Sequence, residues 1–79
     1  MPKFVLNLHA QRQAHKRDIT FEDVDFVLEH FDARRAARII PARQPSEYFV
    51  ATVRGNRLRV YVEEGSEPMM VTTVAWEER

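Results

Sequence analysis

His9, Arg12, Gln13, His15, Lys16 and Arg17 fall within nine residues. They are the densest group of side chains in this chain that can move a proton or hold a phosphate. At about 100° per residue, His9, Gln13 and Arg17 stack on one helical stripe. Arg12, His15 and Lys16 flank it, and Ala10 and Ala14 mark a side that can lie against a sheet. An imidazole with arginine and lysine beside it suits phosphodiester cleavage by an internal 2′-hydroxyl. That reaction needs a base, an acid and positive charge at the developing phosphorane, and it needs no metal. The plainer reading of the same residues is a solvated helix face.

Other chemistries find little footing. The chain has no cysteine, which removes disulfides, thiolate metal sites and cysteine nucleophiles. His9 and His15 are six residues apart and point from different helical faces, so no metal and no cofactor is expected. Ser46 and Ser66 lie in turn-like stretches without a histidine signature. Two glycines cannot build a phosphate-cradling loop. No apolar run approaches the roughly 18–20 residues of a membrane helix. The opening Met-Pro-Lys-Phe-Val-Leu-Asn-Leu is too short for a signal peptide. The expectation is a cytoplasmic protein with no membrane partner.

The elements that would position these side chains follow from periodicity. Asn7 or His9 can cap a first helix over 8–17. Thr20, with Asp23 three residues on, resembles a capping box for a second helix over 21–31. There Phe21, Val24, Val27, Leu28 and Phe31 form an apolar stripe. Residues 33–46 read as a loop or a short strand ahead of Pro41. Strands over 47–54 and 57–63 flank Gly55-Asn56, read as a type II′ turn with glycine first. This register sets Arg54 against Arg57 and Val53 against Leu58. Phe49, Ala51, Val53, Leu58, Val60 and Val62 then share one apolar face. Tyr48, Val50, Thr52, Arg54, Arg57, Arg59 and Tyr61 share the other. Arginines interleaved with tyrosines can grip phosphate and stack on bases, although a solvated sheet face has the same look. A further strand covers 69–76. The expected fold is α+β: one domain over 1–79, two N-terminal helices packed on one face of a three- to four-stranded antiparallel sheet.

Zero net charge conceals strong blocks. Residues 1–17 carry +4, 18–32 carry −6, 33–62 carry +6 and 63–79 carry −4. These either neutralise one another within the fold or form opposed basic and acidic faces.

Together the residues resemble a family. His9-Ala10, Arg17, Ile19, Val24 and Val27-Leu28 follow the pattern H-A-x-x-R-M-x-x-R-G-I-[ST]-x-x-x-V-x-x-V-L, which opens a widespread bacterial domain. Val71-Thr72-Thr73-Val74 resembles its V-x-T-V ending. That domain is similar in architecture to the RelE/ParE and BrnT toxins. The resemblance implies a RelE-like two-layer fold and metal-independent cleavage of RNA, with His9, Arg17 and Thr73 as catalytic residues. Arg12, Lys16, Arg54, Arg57, Arg59, Tyr48 and Tyr61 are the RNA- and phosphate-binding candidates. The chain departs from the pattern at Gln13, where the family has Arg, at Ala14, where it has Met, and at Asp18, where it has Gly.

Two roles are open at this point. A ribonuclease needs His9 and Arg17 to converge with at least two of Arg54, Arg57, Arg59 and Thr73 in one cleft. A non-catalytic, ParE-like interaction module would instead use the sheet face, a strand edge or the acidic helix (Asp23, Asp25, Glu29, Asp32). It would bind a cognate antitoxin, another protein partner or a second copy.

Overall fold

The computed structural model describes residues 4–37, 46–63, 65 and 68–77. The elements run β1 (Phe4–Leu6), α1 (Leu8–Lys16), α2 (Phe21–His30), β2 (Ala33–Ala37), β3 (Ser46–Val53), β4 (Asn56–Glu63) and β5 (Met69–Trp76). The fold is α+β, but the sheet differs from the expected one. It has five strands in the order β1-β5-β4-β3-β2 and is mixed, because β1 runs parallel to β5. Phe4, Val5 and Leu6 face Met69, Met70 and Val71. The short strand expected ahead of Pro41 is β2, antiparallel to β3; Pro41 itself, and Gln44-Pro45 of the expected loop, lie outside the described residues.

Both helix starts are explained by local chemistry. The Asn7 side chain accepts from the Ala10 N–H at 2.8 Å. Thr20 and Asp23 close a reciprocal capping box: Thr20 Oγ1 accepts from Asp23 N–H at 3.1 Å, and Asp23 Oδ2 accepts from Thr20 N–H at 3.0 Å. α1 ends at Arg17 in a Schellman motif, with Ile19 N–H bonded to Ala14 O (2.8 Å) and Asp18 N–H to His15 O (3.4 Å). Ile19 and Ala14 are both buried, which supplies the apolar contact of that motif. The motif places Asp18 at φ 57°. This is left-handed backbone, where a Cβ costs about 1–2 kcal/mol. Glycine, which the pattern noted above carries at this position, would meet this bend without that cost. Asp18→Gly is expected to raise the unfolding free energy by about 0.5–1 kcal/mol in urea melts. A loss of stability would show that the aspartate side chain does more than tolerate the bend.

The β3–β4 turn is a correction. Arg54 and Gly55 form it, with φ 51° and 82°, and Val53 pairs with Asn56. Two consecutive positive φ values make it type I′, not a type II′ turn at Gly55-Asn56. Thr52 therefore faces Arg57, and Arg54 and Arg57 are not opposed. The slip moves every cross-strand partner by two residues, so it preserves side-chain parity. Phe49, Ala51, Val53, Leu58, Val60 and Val62 are all buried, as the apolar face required. They join Ala10 and Ala14 of α1 and Val24 and Val27 of α2 in one core cluster. α1 lies closest to β5, and α2 to β3 and β4. The ends of the α2 stripe sit at the margin: Phe21 and Phe31 stay exposed, stacked on Phe4 (4.6 Å) and edge-on to Phe49 (4.7 Å).

A bulge in β5 decides which of its residues face the core. Tyr61 pairs with Thr73 and Val62 with Val71, leaving Thr72 as the extra residue. Val71 and Val74, three apart, are both fully buried as a result. Thr73 is set opposite Tyr61, on the face away from the core.

Candidate phosphate-binding site

β1 ends at Leu6, and Asn7 N–H makes the last bond to β5, at Val71 O. Beyond that point the backbone of β5 is reached by a side chain: Arg17 Nη1 donates to Val74 O at 2.7 Å. The Trp76 indole N–H in turn donates to Arg17 O at 2.9 Å. These two bonds tie the C-terminal end of α1 to the end of β5. They leave a pocket of about 510 Å³ lined by Arg17, Arg59, Ala75, Trp76 and Glu77. Helix and open sheet face meet there.

The sheet supplies Arg59 and Glu77. Glu77 N–H donates to Arg57 O at 2.8 Å, which carries the β4–β5 ladder one step past Trp76. From there Glu77 Oε1 accepts from Arg59 Nη2 at 2.8 Å, and Oε2 lies 3.8 Å from Arg57 Nε. Arg59 is held independently. Its guanidinium lies over the Tyr48 ring (5.0 Å to the centroid) and donates to Tyr61 Oη at 3.2 Å. Tyr48 and Tyr61 face each other across the strands with ring centroids 5.0 Å apart. Among the described residues, Arg59 Nε, which is buried, has no hydrogen-bond partner. The bond from Arg59, helped by the charges of Arg57 and Arg35, holds the Glu77 carboxyl below its ordinary value. The same bond raises Arg59.

The other candidates are dispersed. Arg57 makes a two-pronged pair with Asp32 (2.7 Å to each oxygen) and reaches Thr52 Oγ1 at 3.2 Å. Its hydrogen bonds hold Asp32 below the usual carboxylate range. Arg54 leaves the arginine–tyrosine face altogether. It bonds to Asp18 O and to Asp23, each at 2.9 Å, and lies 5.7 Å from the Trp76 ring centroid. Arg12 and Lys16 are exposed on α1. His9 is also exposed, and its Nε2 lies 3.2 Å from Gln13 Nε2, while Gln13 Oε1 accepts from Arg17. Gln13 thus links the two ends of the stripe. Of the four residues looked for beside His9 and Arg17, only Arg59 lines the Arg17 pocket; Arg54, Arg57 and Thr73 do not, nor does His9, so the expected convergence in one cleft is not formed.

No protein-family model, curated protein or solved structure matches this chain.

Two residues of the site, Trp76 and Glu77, were not singled out in the sequence, where they read as a strand end and part of an acidic block; Gln13 was placed on the stripe there, but its link between His9 and Arg17 was not. The one signal was the acidic block over 63–79 following the basic block over 33–62. Among the described residues, no three His, Asp or Glu are grouped so as to hold a metal ion, and no helix is long and apolar enough to cross a membrane.

Proposed function

We propose that this is a cytoplasmic, RelE-like protein of the toxin–antitoxin type that binds single-stranded RNA; the single cleft set out for His9, Arg17 and two of their partners is not formed, so any metal-independent cleavage by His9 takes place outside the Arg17–Arg59 pocket. The reading rests on one observation: Arg17, from the His9 stripe, and Arg59, from the arginine–tyrosine face, line a common pocket. Arginine forks suit phosphate. The neighbouring Tyr48 and Tyr61 offer ring faces to bases, each such contact being worth about 1–3 kcal/mol. Layering of two helices over one side of the sheet belongs to the same RelE-like reading.

The test is RNA binding in EDTA at rising salt. For single strands, log K is expected to fall with log salt with a slope of about −0.7 per phosphate neutralised. Arg17→Ala should weaken binding and remove about one such contact from the slope. Absence of binding at low salt defeats the proposal.

One feature favours a second reading, as a protein-binding module. Arg34, Arg54, Arg57 and Arg59 already pair with Glu47, Asp23, Asp32 and Glu77. Such neutralised surfaces suit a protein partner, whether antitoxin or second copy, at the β2 edge. Failure of RNA binding would move the assignment there.

A further inference from the structure

We propose that Glu77 is a built-in stand-in for a phosphate: in the ligand-free protein its carboxylate fills the anion position of the Arg17–Arg59 pocket, and RNA binds by displacing it. The identity of the ligand rests on the RNA-binding reading; the displaceable carboxylate does not.

Carboxylate and phosphate compete for the same guanidinium fork. Glu77 already satisfies part of that fork, 2.8 Å from Arg59 and 3.8 Å from Arg57. Its hold is weak. The carboxylate is a third exposed, so solvent screens the pair. Its backbone is fixed through Arg57 O, so the side chain can swing aside without disturbing the sheet. Arg59 does not follow it. The Tyr48 ring and the Tyr61 hydroxyl hold the guanidinium in place, so the pocket is preorganised for the anion that replaces Glu77. The pocket, at about 510 Å³, has room for a phosphate and the sugar beside it.

Inorganic pyrophosphate is the probe, titrated at low salt and pH 7 while the Arg59 side-chain N–H resonance is followed by NMR. Glu77→Gln is expected to bind about tenfold more tightly than the unaltered protein. Glu47→Gln removes the same charge from the distant Arg34 pair and should gain no more than about twofold. Equal affinity in Glu77→Gln and the unaltered protein overturns the proposal, as does an equal gain in Glu47→Gln. Should Glu77→Gln not fold, the unaltered protein decides. Saturating pyrophosphate must then move the Glu77 carboxyl and Arg59 resonances together, and a stationary Glu77 signal is a refutation. If pyrophosphate behaves as expected while RNA does not bind, the stand-in stands and the RNA reading falls.

Discussion

Replacing His9 by alanine is expected to slow RNA cleavage by about 10²–10⁴-fold, the usual contribution of a positioned acid–base group. RNA affinity should change little. The separation follows from geometry. His9 and Arg17 are eight residues apart, about 12 Å along α1, so the pocket holds a phosphate other than the one that His9 would act on. Arg12, three residues from His9 and so on a neighbouring position of the helix surface, is the cation best placed for the phosphorane. The hydrogen bonds also define the imidazole. Arginine only donates, so Gln13 turns its Oε1 to Arg17 and its amide N–H to His9. His9 Nε2 is then the acceptor, and the ring proton lies on Nδ1. To take a proton from RNA, Nε2 must first release the Gln13 amide. The assay is single-turnover cleavage in EDTA, with binding measured separately. An undiminished rate in His9→Ala would remove His9 from the chemistry.

Leu58→Ala is expected to cost about 2–5 kcal/mol of unfolding free energy, the range for a buried leucine that leaves a cavity. Leu58 is fully buried, in the middle of the cluster that α1, α2 and the sheet share. A domain of this size holds on the order of 4–12 kcal/mol in total. The substitution thus removes a large part of it, and partial unfolding at 37 °C is expected. Leu8→Ala is the matched control. Leu8 is 60% exposed, so its loss should stay within about 0.5 kcal/mol. Urea denaturation of both variants decides the matter, and a Leu58→Ala cost below that of Leu8→Ala would contradict the core as described.

Much of this fold was legible because it is local. Thr20 and Asp23 announced a capping box three residues apart, and that box forms. The apolar face of the β3–β4 hairpin survived an error in its turn, because the slip preserved the alternation that defines the face. Distant pairings left no such mark. Nothing in Phe4–Leu6 shows that these residues run parallel to Met69–Val71, and Val-Thr-Thr-Val gives no sign that one threonine is bulged out. The site was harder still. Arg57, Arg59 and the tyrosines were visible as one face, yet their partners Asp32 and Glu77 come from the end of α2 and the end of β5. Charge blocks showed that acids and bases would meet, not which pairs would form. Arg54 was misplaced with its strand because its own φ, positive at 51°, turns it toward α2. Gln13 and Asp18, departures from the family pattern, gained their meaning only from structure: one as a hydrogen-bond link, the other as a helix terminator.

The parallel β1–β5 pair also bears on how the protein is made. Phe4 must wait for Met69, and α1 finds its main neighbours in β5. At synthesis rates of about 5–20 residues per second, roughly 3–10 s pass between completion of α1 and the arrival of β5. During that interval the His9–Arg17 helix is on the growing chain without its docking surface, whereas α2 finds β3 and β4 sooner, before β5 is made. Arg17 gains Val74 O, and the pocket gains Trp76 and Glu77, only once β5 and the residue after it have been made. A nascent chain therefore cannot carry a finished phosphate site before β5 has been made, and for a protein proposed to act on RNA this keeps the site incomplete until then.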